Sequence, residues 1–118
     1  MGSSESSQVD MNSPQAEFVK SKISDNCVVV FSKTTCPYCS MAKRTLDSVG
    51  AKYELIELDR IEDGSNMQDI LLTITGARTV PRVFIGGKCI GGGSETKSLH
   101  SSGKLVPMLQ ECGAIVVQ

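Results

Sequence analysis

Two cysteines separated by two residues, Cys36-Pro37-Tyr38-Cys39, stand between the apolar run Cys27-Val28-Val29-Val30-Phe31 and a helical pattern. At such a strand-to-helix junction a disulfide can form and break without unfolding the domain. A helix N-terminus also stabilises negative charge, so the first thiol should ionise more readily than a free cysteine. This is the physics of a redox catalyst. It also orders the local fold: a buried strand runs straight into a helix that begins at the reactive sulfur.

The remaining bounds agree. A chain of 118 residues holds one domain with one modest core. A hydrophobic content of 40% and a formal charge of −1 describe an ordinary globular protein. That charge is too near neutral for nucleic-acid binding, and few aromatics are present to stack bases. No apolar segment approaches the ~20 residues needed to span a membrane. The N-terminus shows no secretory apolar region and no arginine before Arg44, which argues against a signal peptide and an amphipathic presequence. A mitochondrial location would need a presequence already removed. Cysteines stand at 27, 36, 39, 89 and 112, an odd number. Without a signal peptide they read as thiols of a reducing, cytoplasmic or nuclear compartment, not as a disulfide framework.

Residues 1–12 are rich in Ser, Gln and Asn and read as a disordered tail, with 13–118 as the folded domain. Ser13-Pro14 starts a helix to about Ile23, with Phe18, Val19 and Ile23 as its apolar stripe. A strand near 27–32 follows, then a helix over Pro37–Val49 with Met41, Leu46 and Val49 facing inward. Lys52–Leu58 alternates as a second strand. Asp63-Gly64-Ser65 caps a helix of about Asn66–Thr75 that Gly76 closes. Arg82–Ile85, the Gly86-Gly87 turn and Lys88–Ile90 form a hairpin. Helices from Ser94 to about Ser101 and over Lys104–Cys112 complete the chain. This order fits a small α/β domain with a parallel βαβ unit, an antiparallel hairpin and helices on both faces.

Three blocks carry a family resemblance. They are Lys33-Thr34-Thr35-Cys36-Pro37-Tyr38-Cys39, Thr75-Gly76-Ala77-Arg78-Thr79-Val80-Pro81-Arg82-Val83-Phe84-Ile85, and Ile90-Gly91-Gly92. In this order and spacing they resemble the signatures of the dithiol glutaredoxins, over about Ser13 to Gln110. Ser24–Lys33 and Ser40-Met41-Ala42-Lys43 are most similar to the vertebrate glutaredoxin 2 type. The resemblance implies a thioredoxin-like fold, a four-stranded mixed sheet with helices on both faces. It also implies a glutathione-dependent thiol-disulfide oxidoreductase.

Residue chemistry can be set beside that implication. Cys36, at the helix N-terminus with Lys33 nearby, is the expected nucleophile. Cys39, one turn further in, should be more buried and suited to resolving a mixed disulfide. A half zinc site shares the spacing, but it needs a second ligand pair, and the chain offers isolated cysteines and one histidine, His100. Tyr38 is a packing residue or, as the family implies, a lid over bound glutathione. Pro81 would by itself read as a trans edge-strand residue; the family implies a cis peptide facing the cysteines. Thr79 and Val80 would then stand ready to pair with the peptide backbone of glutathione. By family position, Lys33, Gln68 and Arg78 would hold the glycyl carboxylate, although Gln68 and Arg78 alone read as solvated surface. Gly92 and Gly93 let a ligand approach the backbone before Ser94 opens a helix, a geometry that suits the γ-glutamyl carboxylate. Glu95 replaces the Asp commonly found at the ammonium contact.

Cys27 reads as strand packing, while Cys89 and Cys112 are candidates for glutathionylation or intermolecular disulfides. Met1-Gly2-Ser3-Ser4-Glu5-Ser6 matches an N-myristoylation pattern without a neighbouring basic residue. The resulting expectation is a monomer acting on glutathionylated and disulfide-containing proteins. The alternative is a dimer holding a [2Fe–2S] cluster through Cys36 and glutathione, and Pro37 counts against it. A thioredoxin reduced by a flavoenzyme is disfavoured by Tyr38 and the Gly91–Glu95 pattern.

Overall fold

The computed structural model describes residues 9–115. Its organising element is β1 (Val28–Ser32), whose β-branched run is buried at every position. A strand buried on both faces needs partners on both edges and layers above and below. The chain supplies them as α1 (Pro14–Asp25), α2 (Pro37–Ser48), β2 (Glu54–Glu57), a 3-10 turn at Leu58–Arg60 and α3 (Gly64–Thr75). After these come β3 (Arg82–Ile85), β4 (Lys88–Gly91), α4 (Gly93–Ser101) and α5 (Leu105–Cys112). The sheet order is β2-β1-β3-β4. β1 and β2 run parallel, joined by α2 as the crossover, while β1–β3 and β3–β4 are antiparallel. Gly86 and Gly87 both take positive φ, +60° and +84°, which the tight β3–β4 turn requires. The fold is thioredoxin-like, as the resemblance implied.

Alternation along β1 divides the core. Val29 and Phe31 face α1 and α3, packing with Ala16, Val19, Ile70 and Leu71; Phe31 meets Phe84 edge-to-face at 5.8 Å. Val28 and Val30 face α2 and α5, packing with Ala42, Leu46, Leu105 and Leu109. No helix among the described residues is long and apolar enough to cross a membrane.

Several expectations shift in detail. In α1 the buried positions are Ala16 and Val19, while Phe18 stays 36% exposed with the Lys22 ammonium 5.5 Å from its ring centroid. In α2 they are Cys39, Ala42 and Leu46, small side chains at the first two bringing the helix close to the sheet; Val49, at its C-cap, is half-buried against the same core, and Met41 is half-buried. β2 stops at Glu57, where the chain tightens into the 3-10 turn. Asp63 occupies the N-cap of α3 without a capping bond, and its carboxylate instead accepts from Gln15 Nε2 at 3.0 Å. The N-terminal residues 1–8, with the Gly2 pattern, lie outside the described residues, as do 116–118. Val9 and Met11, within the expected tail, pack against the α1–α3 core.

The larger correction concerns cysteine. Cys27 and Cys112 form a disulfide, with Cα atoms 5.5 Å apart and a sequence separation of 85. Spacing gave no hint, because only docking of α5 beside the start of β1 brings the two together. Cys36, Cys39 and Cys89 are free thiols. Cross-linking so long a loop restricts the unfolded chain, so Cys27→Ser/Cys112→Ser should lose about 2–5 kcal/mol. Urea unfolding under non-reducing conditions measures this, and an unchanged midpoint would show that the link contributes nothing. Gly64 generates a second prediction. A Cβ there would overlap the Leu58 carbonyl oxygen. Gly64→Ala must push α3 off the 3-10 turn, costing about 1–3 kcal/mol; a thermal midpoint equal to wild type would contradict it.

Candidate active site

The loop Lys33–Thr35 carries the chain from β1 into α2, and Cys36 is the N-cap of that helix. Cys36 Sγ accepts a hydrogen bond from the Cys39 N–H at 3.2 Å, so the sulfur takes the place of a capping oxygen. Such a bond strengthens when its acceptor carries charge. The Cys36 thiol also donates toward the Val80 carbonyl at 3.6 Å. Val80-Pro81 is a cis peptide, as the resemblance implied, and it stands across from the cysteine pair. Cys36 is half-buried, whereas Cys39 is fully buried.

The two thiols therefore differ in chemistry. Burial pushes Cys39 up to about 11, and its hydrogen bond with Cys36 adds to the rise. The Lys33 N–H, 3.4 Å from Cys39 Sγ, and the Ser32 hydroxyl offset only part of it. The inner thiol is thus held as S–H at neutral pH, as expected for a resolving cysteine.

Beside the pair lies an open groove of about 350 Å³ between the N-terminus of α4 and the Thr79–Arg82 segment. It gathers Tyr38, Thr79, Val80, Pro81, Gly92, Gly93, Ser94 and Glu95, all singled out in the sequence. Tyr38 is 55% exposed at its rim. Gly93 is required for closeness, since a Cβ there would lie 2.5 Å from the Tyr38 carbonyl oxygen. Glu95 turns back on its own helix, its Oε1 accepting from Gly92 N–H at 2.8 Å. That bond, with help from the Arg82 charge, holds its carboxyl below the usual range. Lys33 is half-buried and makes no salt bridge among the described residues.

Gln68 and Arg78 do not line this groove. Gln68 is buried, and its Nε2 donates to the Arg78 carbonyl at 2.9 Å, bracing the segment that leads to Pro81. The Arg78 guanidinium is bound to Asp69 at 2.8 Å and to Ser65. Among the described residues, no group of three or more His, Cys, Asp or Glu side chains is placed to hold a metal ion.

Two residues escaped the sequence reading. Arg82 enters the groove beside Gly92, and its place directly after Pro81 was the available signal. Asp59, in the 3-10 turn, accepts from the Thr34 N–H with both carboxylate oxygens at 3.1 Å and from the Thr34 hydroxyl. This clamp fixes the loop whose next peptide groups set both cysteines, and nothing in the local sequence of Asp59 announces it.

A Cys-X-X-Cys pair capping a helix, with one sulfur open and the other sealed, defines a thiol-disulfide oxidoreductase. Comparison with known proteins narrows the class: the glutaredoxin family model matches residues 28–90, and the chain belongs to the glutaredoxin family. A glutaredoxin from Ricinus communis is 57% identical over 96 residues, covering 81% of this chain and 94% of that protein. The mitochondrial glutaredoxin-2 of Homo sapiens is 49% identical over 94 residues, covering 80% of this chain and 57% of its own length. Among solved structures, a buckwheat glutaredoxin–glutathione complex superposes with a TM-score of 0.84 at 52% identity, covering 86% of this chain and 93% of that one.

The clamp makes a pH-dependent prediction. Hydrogen bonding from Thr34 holds the Asp59 carboxyl below its ordinary value. Its contribution is therefore complete above the unfolded carboxylate range, around pH 4, and disappears as pH falls through the lowered folded value. Asp59→Asn should lower the thermal midpoint at neutral pH and speed exchange of the Thr34 amide. The gap to wild type should close in strong acid; a gap of constant size would remove the charge from the explanation.

Proposed function

We propose that this chain uses glutathione to reduce protein–glutathione mixed disulfides through Cys36 alone and protein disulfides through Cys36 with Cys39. The observation that carries the reading is the unequal pair. The half-buried Cys36 sulfur opens beside a ligand-sized groove, while Cys39 is sealed behind it. The glutathione in the related buckwheat complex supports the choice of thiol.

In the first route the Cys36 thiolate attacks the glutathione sulfur of the mixed disulfide. A Cys36–glutathione bond forms, and the protein thiolate leaves with the electron pair of the broken S–S bond. A second glutathione thiolate then attacks that adduct, releasing oxidised glutathione and restoring Cys36. In the second route Cys36 attacks one sulfur of the target disulfide, and the other leaves as a thiolate; Cys39 then attacks Cys36 Sγ, displaces the target sulfur still bonded to it and closes Cys36–Cys39. Two glutathiones reopen it.

The groove fits the tripeptide in parts. The Val80 main chain pairs with its backbone, as one strand adds to another. The free N–H groups opening α4, reached past Gly92 and Gly93, receive the γ-glutamyl carboxylate. Arg82 adds positive charge at the same end, and Lys33 faces the glycyl carboxylate. Tyr38 covers the sulfur.

A glutathione-coupled assay separates the routes. Cys36→Ser should abolish reduction of both a glutathionylated peptide and a protein disulfide. Cys39→Ser should retain the first and lose the second by more than about tenfold. Equal loss of deglutathionylation in the two variants would sink this division of labour.

A further inference from the structure

Glu57 closes β2 in register with Ser32 of β1. Side chains of a parallel pair in register share a face of the sheet. Here that face is the one covered by α2, because Val30, two residues before Ser32, packs with Ala42 and Leu46. Glu57 Oε2 holds the Lys43 ammonium at 2.9 Å, with side-chain exposures of 18% and 21%. Its Oε1 is buried and has no hydrogen-bond partner, the one side-chain atom of that kind among the described residues. Buried polar atoms are normally paired. This oxygen is an acceptor with a vacant position.

A donor stands on the neighbouring strand, in register with Glu57. Lys43 follows Cys39 by four residues, so both occupy one face of α2. The Cys39 thiol borders the Ser32 hydroxyl, and Ser32 neighbours Glu57 across the sheet. The Ser32 hydroxyl now donates to the Lys33 carbonyl at 3.3 Å, long for an O–H···O bond, and turning about χ1 redirects it. Cys39, Ser32, Glu57 and Lys43 thus share the face of the sheet that α2 covers, linked pairwise by the Lys43–Glu57 ion pair, the Ser32–Glu57 register and the Ser32–Cys39 contact. Nearby, Tyr53 donates to Asp47 of α2 at 2.9 Å, so those two groups satisfy each other. Lys43 is the cation of this group.

This arrangement answers a chemical requirement. Cys39 must lose its proton before it can attack, and burial opposes that loss. We propose that Glu57 is the proton acceptor for Cys39, reached through the Ser32 hydroxyl and oriented by Lys43. The inference rests on the dithiol route proposed above. In the resolving step the Cys39 S–H proton passes to Ser32 Oγ as the Ser32 proton passes to Glu57 Oε1. The Cys39 thiolate attacks Cys36 Sγ of the mixed disulfide, the Cys36–Cys39 bond forms, and the target thiolate leaves with the electron pair. Glu57 then returns the proton to the leaving thiolate or to water.

Stopped-flow reaction of the reduced protein with dithiobis(nitrobenzoate), in a Cys89→Ser background, reads the step directly. Capping of Cys36 releases the first nitrothiolate, and closure by Cys39 releases the second. Glu57→Gln should slow the second phase on the order of 10²-fold relative to the first at neutral pH. That phase should then climb with pH as hydroxide takes over, and Glu57→Asp should recover part of the rate. Glu57→Gln/Lys43→Met, which also removes the buried cation, should show the same selective loss and guards against misfolding. An unaltered second phase, or equal slowing of both phases, would overturn the assignment. A parent protein with no second phase would instead refute the dithiol route itself.

Discussion

The burial of β1 on both faces is the constraint on which the rest of the structure depends. Val28, Val29, Val30, Phe31 and Ser32 are at most 1% exposed, so the strand satisfies its backbone through β2 on one edge and β3 on the other. Its side chains feed two separate cores. A strand held this firmly is a fixed platform, and the loop that leaves it delivers Cys36 at a defined place. The parallel β1–β2 pair also requires a crossover, and α2 is that crossover. The helix that carries both cysteines is therefore also a topological necessity.

Function comes from inequality between two like residues. Cys36 and Cys39 differ in position by one helical turn, yet one is half-buried beside the groove and the other is fully buried. Desolvation is the main reason that Cys39 is held protonated. The backbone around them supplies directed contacts: the Cys39 N–H to Cys36, the Lys33 N–H to Cys39, and the Val80 carbonyl to the Cys36 thiol. Because those contacts are made by main chain, they depend on loop geometry more than on side-chain identity. Asp59 and Gly64, both remote from the cysteines in sequence, matter through that geometry.

Much of the site was readable where chemistry is encoded locally. The cysteine pair, Val80-Pro81 and the Gly92-Gly93-Ser94 helix start are short motifs, and the structure places the last two in one groove with the cysteines beside it. Gln68 and Arg78 behaved differently. Read alone they resembled solvated surface, yet Gln68 is buried as a brace behind the Thr79–Pro81 segment, and Arg78 is tied to Asp69 and Ser65. Periodicity located α2 and its inward Leu46 and Val49, but it did not single out Cys39 and Ala42. The packing favours Cys39 and Ala42, small residues that a hydrophobicity pattern undervalues against Met41.

By itself the sequence determined the order of elements, the parallel–antiparallel arrangement and the reactive pair, because strand runs, helix caps and turn glycines act over a few residues. Tertiary structure alone decided which distant groups meet. Cys27 joins Cys112, Asp59 clamps Thr34, and Glu57 faces the underside of the cysteine helix. Each of these contacts links residues on different elements. Their chemistry is set by burial and distance, quantities that exist only after the chain has packed.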